Sequence, residues 1–279
     1  QPVEAWWYAD VLVHWGSVRR ALREQKRSGG GQTGPRLAKG IATAMLDHPA
    51  AGRIQMGKHL TDAMQVVGYQ ANFTDQPQTG SWSRLVSFRQ PLERFVGRVP
   101  ARALGWLGDL AIPRIQRPAL PVTVLEGVFD ARFDRLWEQA KTAYPAIGRR
   151  DSAFLNWRYR QHPDLTYTVL TVSLAGALRG YLVYLEFFRH EQRRAAIIDS
   201  LAGPDDGAVL DALLATALQN LRRAAMHRVE CYAGGNTLTA ALQRARFKAR
   251  LHNGKVQSTL VRGLPAVELY VTRGDGDGG

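Results

Sequence analysis

A turn between a strand and a helix near the N-terminus combines a glycine with two cations. Gly16 allows a ligand to approach the backbone closely, and Ser17 and Val18 would present amide hydrogens at the first turn of the helix. Arg19 and Arg20 add positive charge to the same turn. This pattern predicts a site for the phosphate groups of a ligand. The alternative interpretation is an ordinary connection between a strand and a helix.

Two carboxylates in apolar strands could take a proton from a substrate. Asp199 follows the apolar run 195–198, and Asp10 lies in the aromatic and β-branched segment 6–14. Apolar surroundings raise the pKa of a carboxyl group, which suits a general base near neutral pH. The alternative is that each aspartate caps a turn at the end of its strand.

Residue counts and spacing exclude several other kinds of chemistry. Cys231 is the single cysteine of the 279 residues, and the sequence contains neither a CxxC pair nor HExxH, so we expect no internal disulfide and no metal site. The net charge of +13, from 37 basic and 24 acidic residues, favours anionic partners, although the basic residues are interleaved with acidic ones. No run of about 18 apolar residues occurs, so we expect no membrane-spanning helix.

The C-terminal half has a regular order of elements. Apolar residues at helical spacing predict helices, and alternating or β-branched runs predict strands. The predicted order is a helix at 129–140, a hairpin of strands at 167–174 and 181–187, a strand at 195–201, a helix at 208–225, a strand at 227–233, a helix at 237–247 and closing strands at 256–261 and 267–272.

The N-terminal half predicts a shorter version of the same order: strand 6–14, helix 17–27, a possible short strand 37–42, helix 53–67 and strands 69–73 and 82–88. Glycines and prolines over 97–121 predict a linker. We therefore expect an α/β protein with a mixed sheet in two modules, residues 1–96 and 122–279, the first lacking its opening elements. Because the sequence starts without methionine, we also expect the chain to begin inside a longer protein.

Several segments resemble the GNAT superfamily of acyl-CoA N-acyltransferases. The resemblance is closest to bacterial proteins with two GNAT-like modules in tandem, the group that includes the Fem-type transferases. It lies in DSAFLNWRYRQHPDLTYTVLTV, RGYLVY, AAIIDSLAGP and ECYAGGNTLTAALQRARF of the second half, and less closely in YADVLVH, LAKGIATAM and QVVGYQ of the first.

The resemblance implies a sheet that opens between its fourth and fifth strands, with acyl-CoA in the opening. It implies that the turn from Gly16 to Arg20 holds the pyrophosphate and that Asn236 lies near the cofactor. The matching loop of the second module, 202–207, is acidic and contains proline, so we expect that module not to hold CoA in the usual way. The family's tyrosine acid would fall near Leu242 or Gln243, where no tyrosine stands.

The expected activity is transfer of an acyl group from acetyl-CoA or another acyl-CoA to an amine of a small molecule or peptide, by direct attack. Asp199 or Asp10 would be the base, and a cytoplasmic bacterial protein is expected. Two alternatives remain open. A Fem-type transferase would use aminoacyl-tRNA, which the positive charge would suit. A catalytically degenerate module would serve binding or assembly, as the missing tyrosine suggests.

Overall fold

A computed structural model describes most of the chain from residue 109 onward and shorter stretches before it. The described residues are 5–7, 54–57, 74–76, 79–88, 109–189, 191–203, 205–252, 255–256, 259–262 and 269–275. The chain divides into two compact units. One comprises residues 1–77, 257–267 and 276–278, and the other comprises residues 78–256, 268–275 and 279.

The first unit contains a small sheet of strands from both ends of the chain. Its strands are β1 (Ala5–Trp7), β2 (Ile54–Gly57), β3 (Thr74–Gln76) and β14 (Thr259–Arg262), in the spatial order β1-β2-β14-β3. The helix predicted over 53–67 is wrong at its start, because Ile54–Gly57 pairs in parallel with Ala5–Trp7. In this short segment, apolar residues two positions apart also fit a strand, and pairing with a distant segment decides the outcome.

The second unit contains a mixed sheet in the order β11-β4-β10-β9-β8-β7-β5. Its strands are β4 (Gly80–Leu85), β5 (Thr123–Val124), β7 (Thr168–Leu174), β8 (Ala177–Arg189), β9 (Gln192–Ala202), β10 (Arg228–Ala233) and β11 (Lys248–Ala249). Four short strands form two further pairs, namely β6 (Ala146–Ile147) with β15 (Leu269–Tyr270), and β12 (Leu251–His252) with β13 (Lys255–Val256). The mixed α/β architecture predicted from the sequence is confirmed.

Helices cover both faces of this sheet. They are α1 (Ala131–Ala140), α2 (Ser152–Tyr159), α3 (Gly207–Arg223) and α4 (Asn236–Arg244), with 3₁₀ turns at Lys141–Ala143 and Arg273–Asp275. Neighbouring residues of β8 show the two faces, since successive side chains point to opposite sides of a strand. The Tyr181 ring lies 5.6 Å from that of Phe133 in α1, whereas a Cβ at Gly180 would lie 2.7 Å from Val209 in α3.

The two units are divided differently from the two predicted modules. Strand β4, expected in the N-terminal module, pairs antiparallel with β10 in the larger sheet. Strand β14, expected to close the second module, pairs with β2 and β3. These are long-range pairings that local patterns do not specify. Residues 111–121, within the predicted linker, contain no helix or strand. A tandem repeat of one module stays a prediction.

No helix within the described ranges combines the length and the apolar character that crossing a membrane requires.

Candidate functional site: a gap between two parallel strands

The strands β9 and β10 run parallel and then separate. They pair over four residues, from Arg194 opposite Arg228 to Ile197 opposite Cys231. Beyond that point β9 continues to Ala202 along β8, and β10 continues to Ala233 along β4. Beyond Ile197 and Cys231, therefore, β9 stays paired with β8 and β10 with β4, but β9 and β10 are no longer paired with each other. Counted from β5, these are the fourth and fifth strands of the sheet, between which the resemblance implied an opening.

The chain itself fills this gap with residues 269–275. Ala233 pairs with Gly80 of β4 on one edge, so its antiparallel bridge to Thr272 lies on the edge that faces β9. The Gly234 amide donates to the Val271 carbonyl at 2.7 Å. On the other side of the gap, the Tyr270 hydroxyl donates to the Ser200 carbonyl of β9 at 2.7 Å. We call residues 269–275 the gap segment.

Close packing leaves no space for a ligand beside the gap segment at Gly274. A Cβ on Gly274 would lie 2.1 Å from the Tyr159 hydroxyl and 3.2 Å from the Ile198 carbonyl of β9. Tyr270, Val271 and Thr272 are each no more than 2% exposed. The segment thus takes the place beside β9 in which an extended ligand would otherwise pair with the strand edge.

Asp199 lies on β9 inside this gap, where all its hydrogen bonds go to the protein. Its Oδ1 accepts from Arg150 Nε at 3.1 Å, from Thr272 Oγ1 at 2.8 Å and from the Ser200 amide at 2.9 Å. Its Oδ2 accepts from the Tyr181 hydroxyl at 2.9 Å. With 1% of its surface exposed, Asp199 has no path to an amine in solution. The geometry favours a structural role for this carboxylate.

Arg150 joins the gap segment to β9 by pairing with two carboxylates. Its guanidinium contacts Asp199 through Nε and Asp275 through Nη2, and all three side chains are at most 5% exposed. Burial raises the pKa of the Asp199 carboxyl, while the positive charge of Arg150 opposes that rise. The apolar run before Asp199 predicted a raised pKa for its carboxyl, but no local pattern predicted the cation 49 positions earlier.

The start of α3 carries its own charges. Asp206 precedes the helix, and its carboxylate pairs with Arg179, whose Nη2 lies 2.7 Å away. Since a helix N-terminus favours an anion, Asp206 stands where a pyrophosphate would bind in an acyl-CoA site. Together with the filled gap, this arrangement does not fit acyl-CoA in the second unit.

The other predicted site residues fall into two groups. Asp10, Gly16, Ser17, Val18, Arg19 and Arg20 lie outside the described residues. Asn236 is the first residue of α4 and is exposed. The structure therefore brings Asn236 to the end of β10, as expected, but across the gap segment from Asp199. Sequence reasoning missed Arg150, Thr272 and Asp275, which are buried polar residues with partners far away in the chain.

The fold is similar to that of a solved N-acetyltransferase structure. A GCN5-related N-acetyltransferase from Anabaena variabilis matches with a TM-score of 0.51 and 12% identity, over 82% of this chain and 50% of that one. A probable N-acyltransferase from Enterococcus faecalis scores 0.47 at 11% identity, over 83% of this chain and 50% of that one. The chain thus spans half the length of either protein. The first match shows the GNAT fold. No protein-family model and no curated protein matches the sequence.

Proposed function

We propose that this chain is part of an N-acyltransferase that transfers an acyl group from acyl-CoA to an amine of a small molecule or peptide. The observation that carries the proposal is the GNAT fold of the chain. In the reaction the amine nitrogen attacks the thioester carbonyl, the C–S bond breaks, and the amine proton passes to a base while the thiolate of CoA takes up a proton.

The acyl-CoA would bind in the N-terminal part of the chain. The gap in the second unit is filled by the protein, and the start of α3 is neutralised by its own aspartate and arginine. The turn at Gly16–Arg20 has the residue types that a pyrophosphate needs, and Asp10 precedes it as the candidate base. In the second unit, Asp199 would then hold the gap segment in place.

Acetyl-CoA binding tests this assignment. We expect calorimetry to show binding that weakens about tenfold or more in Arg19→Gln/Arg20→Gln, because each arginine contributes a charge-assisted hydrogen bond to phosphate. Arg179→Gln, at the start of α3, is the matched control and should leave the affinity unchanged. Weakening by Arg179→Gln alone would place acetyl-CoA in the second unit and contradict the assignment.

A non-catalytic binding or assembly module is the second candidate. The filled gap favours it, since a GNAT fold that has closed its own ligand position can persist as a scaffold. Absence of any acetyl-CoA binding, with the chain folded, would support this candidate over the transferase. Retention of tRNA that is lost as salt rises would instead support the Fem-type alternative.

A further inference from the structure

A second concave region of the larger unit lies apart from the gap. It is a cavity of about 480 Å³ formed by the end of β4, the irregular segment 113–116, one side of α3 and the end of α4. It shares no lining residue with the gap between β9 and β10. Ile115, Ala215 and Leu218 give it an apolar wall. The volume lies within the range of about 300–1,000 Å³ that small-molecule sites occupy. We call it the arginine pocket.

Arg84 is the buried cation of the arginine pocket. It is 5% exposed and lies on β4. Its Nη2 donates to the Pro113 carbonyl at 2.7 Å and its Nη1 to the Ala245 carbonyl, and its Nε has no hydrogen-bond partner in the part of the chain that the structure describes. Over the same residues, no carboxylate forms an ion pair with Arg84. Carbonyl dipoles alone are weak compensation for a buried charge.

Other cations surround Arg84 and raise the local positive potential. Burial lowers the pKa of the Arg84 guanidinium, and the positive charges of Arg222 and Arg246 lower it further. Arg114 and Arg246 also line the arginine pocket, are exposed and form no ion pair within the described residues. A buried cation among other cations is an arrangement that a bound anion would stabilise.

Among the described residues, one carboxylate lines this pocket, and it already forms an ion pair with a neighbouring arginine. Asp211 accepts from Arg244 Nε and Nη2 at 2.9 Å each. Arg84, Arg114 and Arg246 therefore remain uncompensated around one cavity, which is charge enough for a dianion.

Arg246 occupies a backbone position at which glycine is usually favoured. It follows α4 with φ of 59°, in the left-handed region. The Arg246 amide donates to the Gln243 carbonyl and the Phe247 amide to the Leu242 carbonyl, which is the hydrogen-bond pattern of a Schellman motif. Ala225 has the same place after α3, with φ of 55°. An arginine at such a site costs stability relative to glycine, so its side chain needs another reason to be there.

We propose that the arginine pocket binds a small organic phosphate. The phosphate dianion would accept hydrogen bonds from the guanidinium groups of Arg114 and Arg246 and would be attracted by the buried charge of Arg84, and the organic part would pack on Ile115 and Leu218. Tetrahedral phosphate oxygens suit several converging guanidinium donors, and the buried Arg84 gives the site a charge shielded from solvent.

Phenyl phosphate, with inorganic phosphate beside it, tests the proposal by calorimetry at moderate salt. We expect phenyl phosphate to bind more tightly than inorganic phosphate, because its ring buries against the apolar wall. Arg114→Gln should weaken binding about tenfold, whereas Arg117→Gln, an exposed neighbour that does not line the pocket, should have no effect. Equal weakening by both variants would indicate general charge attraction and overturn the proposal, as would no binding at all.

A pair of glycine variants separates ligand binding from stability. Arg246→Gly and Ala225→Gly both relieve a left-handed residue, so each should raise the melting temperature by about 2 °C. Only Arg246→Gly should weaken phenyl phosphate binding. If Arg246→Gly raises the melting temperature and leaves the affinity unchanged, Arg246 is not part of the site and the proposal fails.

Discussion

Two buried arginines of the larger unit have opposite surroundings. Arg150 lies between Asp199 and Asp275 at the gap, where the protein supplies every partner. Arg84 lies at the arginine pocket, where two of its nitrogens donate hydrogen bonds to backbone carbonyls. The charges that act on Arg84 there, those of Arg222 and Arg246, are positive. The first arginine joins two parts of the fold, and the second leaves a charge that a ligand can use.

The larger unit thus contains one region whose polar groups are already paired, the gap between β9 and β10, and one whose charges are open to a ligand, the arginine pocket. The gap between β9 and β10 has the position of a ligand site in the GNAT fold, yet its polar groups are satisfied by the gap segment. The arginine pocket was not predicted from the sequence, but the positive charges of Arg84, Arg114 and Arg246 have no carboxylate partner within the described residues. Position in a fold and chemical availability are therefore different criteria for a functional site.

The largest effect is expected from Arg150→Met. The substitution leaves Asp199 and Asp275 buried together without a cation, which should lower the free energy of unfolding by about 3–5 kcal/mol. Arg149→Gln is the control, because Arg149 is 68% exposed and its ion pair with Asp151 contributes about 0–1 kcal/mol. Denaturant unfolding at pH 7 measures both variants. Equal, small losses would show that the buried pairs do not hold the gap segment.

The loss in Arg150→Met should also depend on pH. Without the guanidinium, burial holds the pKa of the Asp199 carboxyl above its unfolded value of about 3.9, so the native state binds a proton that the unfolded state does not. The stability deficit is then complete at pH 7 and shrinks as the pH falls towards about 4. A deficit that stays constant over this range would mean that lost packing, rather than unpaired charge, is its cause.

A smaller loss is expected from Gly274→Ala in the gap segment. The new methyl group would contact the buried Tyr159 hydroxyl and the Ile198 carbonyl, at a cost of about 1–3 kcal/mol. Gly127→Ala is the control, since a Cβ there meets nothing within 4 Å. Because the Tyr159 hydroxyl has no hydrogen-bond partner within the described residues, Tyr159→Phe should restore part of the loss in the double variant. No restoration would contradict the close contact.

Arg84→Met should lower the free energy of unfolding by less than Arg150→Met does. Removing Arg84 deprives two carbonyls of a donor, at about 1–2 kcal/mol in total, but leaves no buried carboxylate and relieves repulsion from Arg222 and Arg246. The two methionine variants, compared by denaturant unfolding, test the central contrast between the regions. A loss at Arg84 equal to that at Arg150 would contradict it.

The smallest effect is expected at Cys231, the last residue of β10 before the gap opens. Burial raises the pKa of its thiol to about 12, whereas the pKa of the thiol in the unfolded chain is about 8.5. The unfolded state therefore loses its proton first, and the free energy of unfolding should fall by about 1 kcal/mol between about pH 8 and 9.5. Cys231→Ala should remove this dependence. An unchanged slope in that variant would assign it to other groups.

The hairpin of β7 and β8, strand β9 and helix α3 could be predicted because each has its pattern within a short segment. Strand β4 could not be placed, because the pairing of Trp82 with Cys231 joins residues far apart in sequence. The same reason hid the partners of Asp199: its strand predicted a buried carboxylate, but Arg150 and Thr272 lie 49 and 73 positions away. Arg84 gave no signal, since a single arginine in a strand usually faces solvent.

Hydrogen exchange of residues 269–275, with and without acetyl-CoA, tests the central claim most directly, namely that the protein itself fills the gap of its second unit. The account predicts that the Thr272 amide, which donates to Asp275 at 2.7 Å, exchanges slowly and that acetyl-CoA does not accelerate this exchange. Rapid exchange in the free protein, or acceleration by acetyl-CoA, would show that the gap segment leaves the gap for a ligand and would contradict the account.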